Sequence, residues 1–169
     1  MRTLYVLRHA KSDWGDASLR DFDRPLNGRG RKSARAMGRE LRERGLTPDL
    51  VLLSPSARTT ETLARVEEGF GASFEKVEER SIYLAETEEL VALIRNAPAK
   101  SDRLMIVGHN PGMHELVLLL ANGPRDLREE AAAKFPTGAM AEISFDVGDW
   151  SDVTPGSGFI RSFLKPREL

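Results

Sequence analysis

Apolar runs of strand type alternate with helical patterns along this chain, and that order admits few folds. Strand, helix, strand, helix implies a mostly parallel sheet covered on both faces. The first strand is predicted over about Thr3 to Arg8, around Leu4-Tyr5-Val6-Leu7. A polar loop from Lys11 to Pro25 leads to a helix from about Asn27 to Arg44, with Ala34, Met37 and Leu41 on its inner stripe and Gly45 as its stop. Asp49 to Leu53 is the second strand, and Ser56 caps a helix whose Leu63, Val66 and Phe70 share a face. A weaker strand near Phe74 to Val77 precedes Ile82-Tyr83-Leu84 and a short helix around Thr87 to Arg95. Leu104-Met105-Ile106-Val107 is the next strand. Asn110 is a good N-cap there, Pro111 suits the first helical position, and Met113, Leu116, Val117 and Leu120 follow at helical spacing. Two β-like pieces, Ala139 to Phe145 and Phe159 to Leu164, flank a turn at Thr154 to Gly158. With no repeat, low-complexity stretch or long linker, residues 1–169 are expected to form a single α/β domain, a three-layer αβα sandwich.

Composition narrows the function. No apolar run approaches the roughly 20 residues that span a bilayer, and Arg8 and His9 interrupt the N-terminal stretch, so neither a membrane span nor a signal peptide is expected. The absence of cysteine removes disulfides, thiolate metal sites and a cysteine nucleophile, and fits a cytoplasmic protein. A net charge of −1 gives no global pull toward nucleic acid. The arginines at 20, 24, 29, 31 and 35 form a basic cluster whose ordinary reading is a solvated face, with steering of an acidic partner as the alternative.

Several motifs fail on inspection. Gly28-Arg29-Gly30-Arg31-Lys32-Ser33 lacks the glycine that a P-loop has before its lysine and the third glycine of a dinucleotide loop. His114-Glu115 opens like a zinc-protease helix, but Leu118 stands where the second histidine belongs. His9 and His109 have no carboxylate cluster beside them and make a poor zinc set. What survives is a repeated design: Arg8-His9, Ser54 to Arg58, and Gly108-His109 each end an apolar run with groups suited to phosphate. In open α/β sheets ligands bind beyond the carboxyl ends of the strands, and helix starts there favour anions. If these strands are neighbours, Arg8, His9, Arg58 and His109 converge on one pocket.

These residues carry a resemblance. Arg8-His9-Ala10, Ser54-Pro55-Ser56-Ala57-Arg58 and Gly108-His109-Asn110-Pro111 resemble the histidine phosphatase, or phosphoglycerate-mutase-like, superfamily. Lys11-Ser12-Asp13-Trp14, Arg24-Pro25-Leu26-Asn27 with Gly30, and Phe135-Pro136-Thr137-Gly138 are similar to its short phosphohistidine phosphatase branch, the SixA type. Ala10 stands where most of the superfamily has Gly. The resemblance implies that His9 attacks phosphorus and that Arg8, Arg58, His109 and Ser12 hold the phosphoryl group. It implies no cofactor and no metal, because guanidinium groups supply the positive charge. An acid often follows the second histidine in the superfamily. Asn110 fills that place here, and Glu86 is the remaining candidate proton donor.

The short connection from Arg58 to His109 leaves no room for a lid domain, which points to phosphohistidine on a partner protein as substrate. The alternatives are a phosphatase of a small phosphomonoester and a non-catalytic phosphate-recognition module. No membrane or nucleic-acid partner is expected, and the chain is expected to be a monomer or weak dimer.

Overall fold

Side-chain alternation along β1 (Arg2–Arg8) decides how the layers assemble. Leu4 and Val6 enter one apolar cluster, while Tyr5 and Leu7 enter another on the opposite face. In the computed structural model, which describes all 169 residues, the sheet continues through β2 (Leu50–Leu53), β3 (Lys76–Glu78), β4 (Arg103–Gly108), β5 (Ala121–Asn122), β6 (Met140–Phe145) and β7 (Gly158–Leu164). Their spatial order is β3-β2-β4-β1-β6-β7-β5. Four of the six pairings are parallel, and β6 supplies the two antiparallel ones, against β1 and β7. The mostly parallel reading therefore holds, with an antiparallel insertion at one side.

Helices α1 (Gly28–Arg44) and α2 (Ala57–Phe70) cover the Tyr5 face through Ala34, Met37, Leu41, Leu63 and Val66. Helices α3 (Thr87–Arg95), α4 (Gly112–Leu120) and α5 (Arg125–Ala133) cover the Leu4 face with Leu90, Ile94, Leu116 and Ala131. The result is the three-layer αβα sandwich. Asn27 caps α1 by accepting from the Gly30 N–H at 2.8 Å, and Gly45 closes it in the left-handed region at φ 69°. Ser56 caps α2 as the sequence suggests.

Three details differ from expectation. The weak strand starts two residues later and ends one later than predicted, at Lys76–Glu78, because Phe74 turns into the core and leaves an exposed edge pairing only with β2. Asn110 is not the N-cap of α4. Pro111 takes that position after a cis peptide bond, and the Asn110 Oδ1 accepts from the His114 N–H at 3.2 Å. Helix α5 had no sequence signal of its own, since Leu127 is the only large apolar residue in Arg125–Ala133 and only Ala131 is buried. No helix is long and apolar enough to cross a membrane.

Candidate active site

Parallel pairing places the two key histidines side by side. Arg8 is in register with Gly108, so the next residues, His9 and His109, leave adjacent strands at the same end. The His9 N–H donates to the Gly108 carbonyl at 3.0 Å, and the ring centroids stand 5.5 Å apart. Strand β2 lies on the other side of β4, with Leu53 opposite Val107, and it delivers Ser54 and the start of α2 to the same edge. Arg58, in the first turn of α2, joins the group. The convergence thus follows from strand order, with no long-range coincidence of loops required.

Residues Arg8, His9, Lys11, Ser12, Trp14, Arg24, Arg58, Leu84, His109, Asn110 and Thr137 line a cavity of about 320 Å³. Five buried side-chain nitrogens have no hydrogen-bond partner in the protein: Nε of Arg8, Arg24, Arg58 and Arg65, and Nδ1 of His109. Four of these belong to residues of this one cavity. Buried donors left unpaired cost roughly 1–3 kcal/mol each, so such a concentration calls for an anionic acceptor. The donor set fits a tetrahedral oxyanion. No group of three or more His, Cys, Asp or Glu side chains is placed to hold a metal ion.

Both rings are held neutral. Burial pushes the His9 imidazole down to about 4, and Arg58, Arg8 and Arg24 add to the shift against the opposing Ala10 carbonyl. His9 Nδ1–H donates to that carbonyl at 2.7 Å, which leaves the lone pair on Nε2. Burial likewise pushes His109 down to about 3, helped by Arg58 and His9. Ser54 is fully buried, and its hydroxyl lies 2.8 Å from His109 Nε2. With Ser54 donating, the His109 proton sits on Nδ1, the nitrogen that lacks a protein partner.

The arginines are positioned by one carboxylate. Asp21, in a 3-10 turn over Asp21–Asp23, accepts from Arg58 Nη2 at 2.9 Å, Arg24 Nη2 at 3.0 Å and the Tyr83 hydroxyl at 2.6 Å. Its backbone carbonyl accepts from Arg58 Nη1 at 2.7 Å. The Tyr83 hydroxyl first, then Arg24 and Arg58, hold the Asp21 carboxyl well below the usual carboxylate range. It is therefore ionised and cannot donate a proton. Arg8 is fixed separately, through Nη1 to the Phe135 carbonyl at 3.0 Å.

Of the residues singled out by sequence, Arg8, His9, Ser12, Arg58 and His109 come together, and Ser12 Oγ accepts from Arg24 Nη1. Glu86 does not join them. It is exposed at the N-terminus of α3, where its N–H donates to Glu89 Oε1 at 3.0 Å, and its side chain is outside the cavity lining. Leu84, in the left-handed region at φ 57°, turns the chain between Tyr83 and Glu86 and occupies the rim instead. Asp21 and Tyr83 carry no sequence signal as site residues, and Arg24 and Ser54, which stand within the motifs quoted above, have no individual role there. Arg24 is only 7% exposed and cannot be counted in a solvated face. Ser54 has a legible signal at its strand end, and Arg24 has one in the Arg24-Pro25-Leu26-Asn27 motif.

Known proteins share this architecture. The family model described as the histidine phosphatase superfamily (branch 1) matches residues 4–80. An uncharacterised protein of Mycobacterium tuberculosis is 33% identical over 164 residues, covering 95% of this chain and all of that one. The crystal structure of an inferred phosphohistidine phosphatase SixA from Agrobacterium tumefaciens superposes with a TM-score of 0.80 at 30% identity, covering 98% of each chain. A second such SixA, from Nakamurella multipartitia, gives 0.83 at 28% identity, over 98% of this chain and 96% of that one.

Proposed function

The chain belongs to the histidine phosphatase superfamily, and from that premise we propose that it removes the phosphoryl group from phosphohistidine on a partner protein, through a covalent intermediate on His9. His9 Nε2 attacks phosphorus in line, and a new N–P bond forms as the N–P bond of the substrate breaks. The departing imidazole nitrogen takes up a proton from solvent. Water then attacks the phosphorylated His9, releasing inorganic phosphate and restoring the neutral ring. Arg8, Arg24, Arg58 and the Nδ1–H of His109 neutralise the equatorial oxygens throughout, so guanidinium charge supplies what a metal ion provides elsewhere.

One observation carries the choice of substrate. None of the 11 residues lining the cavity is Asp or Glu, so no carboxylic acid stands ready to protonate an alkoxide. An imidazole leaves far more readily than an alkoxide, and phosphohistidine does not need that acid. The mouth of the cavity supports a protein substrate. Between Arg58 and His109 only Leu84 reaches the cavity, and the rim presents Trp14 at 77% and Leu84 at 71% exposure.

The test compares a phosphohistidine-bearing protein, phosphoramidate, p-nitrophenyl phosphate and a sugar phosphate, with chelator present. The proposal expects kcat/KM for the N–P substrates to exceed that for the alkyl ester at least a hundredfold. A preference for the sugar phosphate makes the chain a phosphomonoesterase. Loss of all turnover with chelator overturns metal independence.

A further inference from the structure

Most basic side chains of this protein are already engaged. Of 25 Lys and Arg residues, 17 carry an ion pair, a side-chain hydrogen bond or an aromatic contact. The remaining eight are Lys11, Arg29, Lys32, Arg39, Lys134 and Arg167, together with Lys100 and Arg103 elsewhere. The first six line one cavity of about 630 Å³ beside the active site. Its only acidic side chain is Glu130, which is already bridged to Lys165. By contrast, within the basic cluster read from sequence, Arg20, Arg24, Arg31 and Arg35 are each paired with a carboxylate, and Arg29 alone is free.

The groove and the active site are continuous, because Lys11 and Thr137 line both. Arg29, Lys32 and Arg39 fall on one face of α1 together with Ser33 and Ala36. Ten residues of helix separate Arg29 from Arg39, a span of about 15 Å at about 1.5 Å per residue. One phosphate cannot engage charges that far apart. An extended peptide rising about 3.3 Å per residue covers that span with about five residues. Unpaired cations in a concave surface focus a positive field along the groove.

We infer that this groove docks an acidic segment of the phosphoprotein substrate, next to the phosphohistidine held between His9 and His109. The inference rests on the protein-substrate reading above and deepens it. The phosphoryl group fixes one end of the partner, and the α1 face reads Asp and Glu side chains along a stretch of about five residues.

The experiment separates docking from turnover. A fluorescein-labelled peptide of twelve residues, rich in Asp and Glu and unphosphorylated, is titrated with the protein and followed by anisotropy. Wild type is expected to bind it at low salt and to lose at least tenfold in affinity by 200 mM salt, as screening shortens the field. The triple variant Arg29→Ala/Lys32→Ala/Arg39→Ala is expected to weaken Kd at least tenfold, and Arg103→Ala less than twofold. The wild-type salt series stands even if the triple variant fails to fold. Absence of binding, equal weakening by Arg103→Ala, or affinity for inorganic tripolyphosphate but not for the peptide overturns the inference. A dimer in sedimentation that the triple variant dissolves also overturns it, since the face then serves a second copy. Peptide binding without phosphohistidine turnover defeats the substrate reading instead and leaves an acidic docking groove.

Discussion

His9 and His109 stand with ring centroids 5.5 Å apart and planes tilted by 54°, both buried and both neutral at physiological pH. That pairing needs a shared low affinity for protons, since two imidazolium rings at this distance beside three arginines repel strongly. His9, the proposed nucleophile, is therefore available across the neutral range without an adjacent general base.

The acid limb of the pH–rate profile should consequently lie low. The proposed attack by His9 needs the neutral ring, whose pKa is pushed down to about 4, so kcat/KM should stay level above about pH 5 and fall below it. Stability follows the same sign. Unfolding returns both rings to the ordinary value of 6.5, so the unfolded chain binds protons first, and stability declines as pH drops from about 6.5 toward 4. A kinetic limb at pH 6.5 would mean that burial does not depress His9. Thermal melts between pH 4 and 8 check the second half.

Arg58 provides the second expectation. Its guanidinium is almost fully buried, is oriented by one carboxylate oxygen and the backbone carbonyl of Asp21, and retains an unpaired Nε. Arg58→Ala should remove about 2–4 kcal/mol of transition-state stabilisation, seen as a loss of about 30- to 1000-fold in kcat/KM. A loss below threefold would place Arg58 outside the reaction.

Ser54 is bonded to His109 and does not line the cavity, so its expected effect runs through that ring. Ser54→Ala should free the His109 ring to carry its proton on either nitrogen, lowering kcat by about tenfold, the equivalent of about 1.4 kcal/mol, with little change in KM. Restoring most of the rate with Ser54→Thr would separate hydrogen bonding from packing. An unchanged kcat in Ser54→Ala would remove Ser54 from the mechanism.

How much of this was legible in sequence follows from physical range. Strand ends and first helical turns are local, so His9, His109, Arg58 and the Ser56 cap could be read from short windows. Arg24 and Asp21 lie in the loop from Lys11 to Pro25, which has no periodicity, and their partners Ser12, Arg58 and Tyr83 are up to 62 residues away. Glu86 directly precedes the helix read from Thr87, as observed, but a short window cannot show that the turn at Leu84 leaves it outside the cavity. The basic groove joins four separate segments, and its defining property, cations without partners, exists only in three dimensions.

Gly30 locks that loop in place. A Cβ there would meet the Lys11 carbonyl oxygen at 2.1 Å, and backbone cannot yield as a side chain can. Gly30→Ala should destabilise by about 1–3 kcal/mol, lowering Tm by about 2–12 °C in a chain of this size. Differential scanning calorimetry reads the change, and an unaltered Tm would mean that the Lys11 loop moves freely against α1.

The central claim is covalent. After brief mixing with radiolabelled phosphoramidate and a denaturing quench in base, wild-type protein should carry about one base-stable, acid-labile label per chain, mapped to His9. The His9→Ala variant should carry none and turn over no substrate. Equal labelling of His9→Ala, or full turnover by it, would contradict the account.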